Sequence, residues 1–132
     1  MDVELREKFH NSERIYYNVI KTDTREAVGY IELRFGHGVY LYYLGNIGYR
    51  IYEEFRGHSY AYKACVELLK LVKGMDLDYL IITASPENYA SVRTIEKLPV
   101  EYIETVNVPR WHSLYRNNER VKKIYRINCS DL

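Results

Sequence analysis

The hydrophobic period changes twice between Arg56 and Ala84, and that change restricts the fold more than any other feature of the chain. Ala61, Ala64, Cys65, Leu68, Leu69 and Val72 recur at steps of three and four, predicting an amphipathic helix of about 15 residues stopped by Gly74. Lys63 and Glu67 stand four apart on its other face, the spacing of a helical ion pair. Tyr79-Leu80-Ile81-Ile82-Thr83-Ala84 follows, apolar on both alternations. Such a strand is buried on both faces, which predicts a central parallel strand. With a strand ahead of the helix, residues 47–84 read as a strand–helix–strand crossover, right-handed by default.

The other elements surround this unit. Residues 15–22 and 27–35 are rich in β-branched and aromatic side chains, and the polar turn Asp23-Thr24-Arg25-Glu26 between them predicts an antiparallel hairpin. Residues 3–9 offer a further first strand. Gly36-His37-Gly38 breaks the pattern, and Tyr40 to Ile51 should contain another strand, with Tyr40-Leu41-Tyr42-Tyr43 as sheet surface. Ser85-Pro86-Glu87 opens a second helix, Ser85 as cap and Pro86 in the first turn, and Pro99 ends it. Two strands near 101–108 and 120–128 flank a polar connection carrying Trp111. The order β-β-β-α-β-α-β-β gives an α+β fold: one mixed, mostly antiparallel sheet with a β-α-β crossover and a hairpin-like C-terminal pair. At 132 residues and 47% hydrophobic, residues 1–132 make one domain with a core that needs neither disulfide nor metal. Fifteen tyrosines suit strands with amphipathic faces.

Several classes are excluded. No apolar run reaches the length of a membrane span. Met1 to Glu7 has no apolar stretch resembling a signal peptide, so a cytoplasmic location is expected. Cys65 and Cys129 are far apart with no CxxC, and His10, His37, His58 and His112 lack ligand spacing, so no metal site is expected. A formal net charge of +1 argues against general nucleic-acid binding. Six cations (Arg110, Arg116, Arg120, Lys122, Lys123 and Arg126) nevertheless gather near the C-terminus against Glu119 and Asp131. They read as a solvated final strand whose lysines discourage edge pairing. The alternative is a patch for RNA or an acidic substrate, with Trp111 and Tyr115 to stack on bases.

The turn Glu54-Phe55-Arg56-Gly57-His58-Ser59-Tyr60-Ala61 enters the first helix beyond a strand's carboxyl end. Free backbone N–H groups and the helix dipole make such a turn an anion site. It is neither a P-loop nor G-x-G-x-x-G. The run from Gly48 to Ala61 resembles the pyrophosphate-binding motif of GNAT-type acyl-CoA N-acyltransferases, Arg/Gln-x-x-Gly-x-Gly/Ala, with Arg56 first, Ala61 last and Ser59 where Gly is usual. Pro86 to Leu98 resembles the Asn-x-x-Ser-x-x-x-x-Glu-Lys-Leu helix of the branch related to ribosomal-protein alanine acetyltransferases.

The resemblance covers roughly residues 15–128 and implies a GNAT-like fold using acetyl-CoA as co-substrate. It implies that Arg56, Gly57, His58, Ser59, Tyr60 and Ala61 hold the pyrophosphate through their backbone. Tyr49, Arg50 and Ile51 would pair with the pantetheine arm, Asn88 would hold its end, and Ser91 would approach the sulfur. The family's usual thiolate-protonating Tyr matches Ile95 here, which leaves Ser91 as the nearest hydroxyl. Leu98-Pro99-Val100 replaces the usual Leu-Gly-Phe. The N-terminal helical region is shortened, because the chain before residue 15 has no space for the helix pair that commonly roofs the acceptor site.

Transfer to an amine also needs a base and an oxyanion donor. A backbone N–H near Ile51 suits the second. Glu32, on the strand face shared with Tyr30 and Arg34, is the candidate base, against the reading of an exposed cross-strand partner of a cation. Glu53 and Glu54 are alternatives, and His58 could tune phosphate affinity. The expected activity is acetyl transfer from acetyl-CoA, in a ternary complex, to the amine of a small molecule or a protein N-terminus. The alternatives are an acyl-CoA-binding module with weakened catalysis and an RNA- or ribosome-associated protein. No membrane or nucleic-acid partner is expected, and a homodimer is left open.

Overall fold

The computed structural model describes residues 2–132. The elements run β1 (Val3–His10), β2 (Arg14–Lys21), β3 (Ala27–Arg34), α1 (Val39–Leu44), β4 (Ile47–Ile51), α2 (Tyr60–Lys73), β5 (Tyr79–Ala84), α3 (Tyr89–Glu96), β6 (Glu101–Asn107), α4 (Ser113–Arg116) and β7 (Val121–Asn128). The strand over residues 3–9 is therefore real. A tight turn joins it to β2, in which Asn11 Oδ1 accepts the N–H groups of Glu13 and Arg14 at 2.9 Å. No helix pair stands between them. Among the described residues no helix is long and apolar enough to cross a membrane.

Two sheets form instead of one. The first has the order β1-β2-β3-β4, the second β5-β7-β6, and every pairing within them is antiparallel. The expectation of a central parallel β5 is thus corrected, for β5 is an edge strand whose ladder partner is β7. Its apolar character has another cause. Leu80, Ile82 and Ala84 join the core with Ala64, Cys65, Leu68 and Val72 of α2. The other face is covered by α1, which packs on β5 and whose Tyr43 carbonyl accepts the Thr83 hydroxyl at 3.0 Å.

The sheets meet through Asn46, which is 1% exposed. Its main-chain N–H donates to the Ile81 carbonyl at 2.6 Å, and its Oδ1 accepts the Ile81 N–H at 2.8 Å. Its Nδ2 donates to the carbonyls of Arg34 (2.9 Å) and Gly36 (2.7 Å). One side chain thus ties β3, β4 and β5 together. Beyond it the strands diverge, and residues 47–49 and 82–85 face each other across a gap.

Other corrections are local. Tyr40 to Tyr43 are helical, in α1, held by His112. That imidazole is fully buried, stacks on Tyr40 at 4.1 Å, accepts the Leu114 N–H at Nδ1, and places Nε2 2.9 Å from the Tyr40 carbonyl. The second helix begins at Tyr89, with Asn88 rather than Ser85 as cap, because Asn88 Oδ1 takes the Ser91 N–H while Pro86 and Glu87 form a turn. Lys63 pairs with Asp2 at 2.9 Å and Glu67 with Lys70 at 2.8 Å, so the Lys63–Glu67 pair does not form. Gly74 caps α2 but in right-handed conformation, φ −84°.

The central strand of the second sheet is β7, not an edge. Lys122 is buried, Lys123 lies over Tyr102 and Tyr125, Arg126 over Tyr79 at 3.9 Å, and Arg120 over Tyr115 at 4.1 Å. Lys123, Arg126 and Arg120 are spent on rings within the chain, which weakens the reading of a patch for RNA.

Replacing Asn46 by Ala should cost about 3 kcal/mol, because the buried Ile81 N–H and the carbonyls of Arg34 and Gly36 lose their partner. Urea unfolding measures this, and a loss below about 1 kcal/mol would show that the bridge is dispensable.

Candidate active site

The gap between β4 and β5 opens into a cleft of about 300 Å³. On β3, Ile31 and Leu33 point into the helix-covered core, so alternation turns Tyr30, Glu32 and Arg34 into the cleft. Asn88 and Ser91 of α3 reach it from β5's carboxyl end, and Leu44 and Leu114 bring α1 and α4 over it. These two short helices, clamped by His112, roof the cleft.

Two carboxylates line it. Glu32 is 8% exposed, its Oε1 3.1 Å from Arg14 Nη1 and its Oε2 3.5 Å from Arg34 Nη2. It is a cross-strand partner of a cation, but buried rather than exposed. Glu119, which sequence reasoning missed as a cleft residue, accepts the Lys122 ammonium at 3.0 Å and the Ser85 hydroxyl at 3.3 Å. Lys122, expected to be solvated, is buried among them. Glu53 and Glu54 form an exposed 3-10 turn outside the cleft.

Gly48 lies opposite Glu32 in the β3–β4 register. A Cβ there would collide with the Arg34 guanidinium, so the glycine gives that cation its place over β4.

The edge of β4 explains how an extended ligand could lie in the gap. Arg34 donates its N–H to Asn46 and Tyr52 donates to Val28, so the even-numbered residues of β4 carry the ladder to β3. The N–H and C=O groups of Tyr49 and Ile51 then face the gap, whereas those of Arg50 face β3. Of the three residues expected to pair with a pantetheine arm, two are turned toward it.

Next along the chain is the anion turn. Gly57 has φ 90° and Ser59 φ 61°, both left-handed. This curls the backbone so that successive N–H groups converge ahead of α2, a nest for an anion. The first main-chain bond of the helix runs from Lys63 to Ser59 at 3.0 Å. The N–H groups of residues 57–62 have no partner among the described residues. Arg56 Nε donates to the Ile51 carbonyl at 3.2 Å, joining the turn to the end of β4, while Tyr60 anchors it by a buried ring and His58 stays exposed. The six residues from Arg56 to Ala61 are thus brought together. The Ser59 side chain makes no capping bond, so glycine's advantage at this place is conformational.

Between turn and cleft, the Tyr49 hydroxyl lies 2.6 Å from Ser91 Oγ. Burial pushes the Tyr49 phenol up to about 12, so it stays protonated at neutral pH. Ile95 is fully buried in the core. The Tyr49 ring was not visible as a site group from sequence, where only its backbone was implicated. Cys65 is fully buried and its thiol is likewise pushed up to about 12, so it offers no nucleophile to an acyl group.

A family model described as an acetyltransferase (GNAT) domain matches residues 3–100. No curated protein sequence matches the chain. Solved structures do match its fold. An acetyltransferase of the GNAT family from Bacillus anthracis is 24% identical over 87% of this chain and 66% of its own, with a TM-score of 0.70. Spermidine N-acetyltransferase from Vibrio cholerae, in complex with CoA and spermine, is 15% identical over 92% of this chain and 69% of its own, with a TM-score of 0.69. Ribosomal-protein-S5-alanine acetyltransferase from Vibrio fischeri is 15% identical over 89% of this chain and 63% of its own, also with a TM-score of 0.69. The chain spans about two thirds of the length of these structures.

Two outcomes follow from this geometry. The folded chain holds the Tyr49 and Cys65 protons to about pH 12, whereas the unfolded chain releases them near the usual values of 10.0 and 9.0. The unfolded state therefore binds fewer protons in that window, and stability should fall as pH rises from about 9. Tyr49→Phe should make the fall shallower in urea titrations at successive pH values, and an unchanged slope would contradict the burial argument. Ser59→Gly should raise stability by about 1 kcal/mol through relief of left-handed strain, and a decrease would show that the serine is favoured there.

Proposed function

We propose that this chain, which belongs to the GNAT acetyltransferase family, transfers the acetyl group of acetyl-CoA to an amine held in the cleft. The observation that carries the reading is one continuous path. A nest of free N–H groups at residues 57–62 leads along the edge of β4, through the Ile51 N–H and the Tyr49 main chain, to a charged cleft.

The pyrophosphate sits on the nest, where helix dipole and N–H groups favour negative charge. The pantetheine arm pairs with Tyr49 and Ile51 as an added strand, and the Asn88 amide, whose oxygen already caps α3, holds its end through nitrogen. The thioester then lies near Ser91. The amine nitrogen attacks the carbonyl carbon, with Glu32 receiving its proton. The carbon–sulfur bond then breaks and CoA leaves as thiolate. A phenol near 12 is a poor proton donor to a thiolate, since thiols ordinarily titrate near 8.5. Ser91 and Tyr49 therefore serve by hydrogen-bonding the leaving sulfur, and full proton transfer is not required of them. The whole of residues 1–132 acts as one acyltransferase domain.

A second reading, an acyl-CoA-binding module, draws on the engagement of both Glu32 oxygens by guanidinium groups and on the burial of Ile95.

Acetyl-CoA at a hundredfold excess over its dissociation constant should add about 2.7 kcal/mol of stability. That corresponds to roughly 10 °C in melting temperature, and pantetheine without the pyrophosphate should do much less. Ser91→Ala should lower kcat about tenfold with acetyl-CoA affinity retained, and Glu32→Gln should flatten the rising limb of the pH–rate profile. Tight acetyl-CoA binding without thiol release for any amine would establish the second reading.

A further inference from the structure

The cleft holds cations as well as carboxylates, and acetylation of an amine does not by itself require the cations. Glu32 and Glu119 are its carboxylates and Arg34 and Lys122 its cations, so the lining is balanced, and Arg14, half-exposed on β2, reaches Glu32 from outside it. A purely cationic acceptor such as a polyamine offers nothing to the two cations, whereas a ligand carrying both charges meets both signs.

Lys122 is the cation with spare capacity. It is 7% exposed, and one of its three N–H groups is spent on Glu119 at 3.0 Å. The other two have no partner among the described residues, in a side chain that lines the cleft. Arg34, by contrast, is engaged by Glu32 at 3.5 Å and by the Gly45 carbonyl at 3.0 Å. The alternation of β7 places Lys122 on the face opposite Tyr125 and Ile127, which point into the core, and so beneath the α1–α4 roof. The sites for the two ends of an acceptor are therefore on different strands, Glu32 on β3 and Lys122 on β7.

We propose that the acceptor is a compact zwitterion, a primary amine carrying a carboxylate or phosphate on the same small skeleton, and that Lys122 anchors the anionic group. This rests on the acetyl-transfer reading above. When the cleft is empty, Glu119 compensates the buried ammonium. When the acceptor enters, its anion takes the free Lys122 donors and its amine lies toward Glu32 and the thioester. A volume near 300 Å³ stands at the lower end for small-molecule pockets, which suits an acceptor of amino-acid size.

The test uses the full chain with CoA or acetyl-CoA and matched acceptors: L-amino acids against their C-terminal amides, phosphoethanolamine against ethanolamine, and spermidine. Binding is read as a shift in melting temperature with CoA present, and turnover as thiol release from acetyl-CoA. The anionic member of at least one pair should be preferred about tenfold or more. Lys122→Met should bring that ratio close to unity by raising KM, and Lys122→Arg should keep it. A wild-type chain that treats both members alike, or prefers spermidine, overturns the proposal, as does a preference that survives in Lys122→Met. Should Lys122→Met fail to fold, the wild-type ratios and Lys122→Arg decide alone. The two readings fail separately. Anion-selective binding without thiol release overturns acetyl transfer and leaves the anchor standing, whereas thiol release without anion preference does the reverse.

Discussion

Asn46 holds the two sheets together at one point, and everything the cleft offers depends on their parting beyond it. Regular pairing of β4 with β5 would consume the edge of β4 and close the gap. The Asn46 side chain stands in for one residue of such pairing by accepting the Ile81 N–H, while its amide nitrogen fixes the carbonyls of Arg34 and Gly36. A buried amide with all these bonds made is costly to disturb, so the divergence is a built feature and not a loose end. The same anchor sets the height of β3 against β5, and with it the positions of Glu32 and Arg34 over the gap.

Two kinds of charge handling divide the site. The turn before α2 uses backbone alone, with Gly57 and Ser59 in left-handed conformation to gather N–H groups that any phosphate could share. The cleft uses side chains, and its carboxylates arrive already paired. Their pairing explains how four charged groups can line so small a space, because unpaired ions would resist burial there. Between these regions the Tyr49–Ser91 contact links β4 to α3 at the place where a ligand would pass from one to the other.

Much of this was legible in the sequence, for physical reasons. The three-and-four spacing of α2 and the run Tyr79–Ala84 state burial directly, and Arg56 to Ala61 is a local turn whose geometry follows from its neighbours. What was not legible depends on strand order. Lys122 looks solvated until β7 is placed between β5 and β6, an arrangement that no local pattern encodes. The two-sided burial of β5 was read correctly, yet its cause was not a parallel neighbour but α1. That helix hid behind tyrosines that favour strands, and His112, distant in sequence, is what holds it helical against the roof. Ser85 and Asn88 both make plausible caps, and the choice fell to the residue whose side chain reaches the Ser91 N–H.

Main-chain hydrogen exchange, resolved by residue and measured with and without CoA, tests the central claim most directly. Tyr49 and Ile51 should exchange readily in the free chain and become protected with CoA, together with the amides of residues 57–62. Arg50, already bonded across to β3, should be protected in both states. Protection confined to other surfaces, or an Arg50 amide that behaves like its neighbours, would contradict the account of β4 as the edge on which the acyl carrier lies.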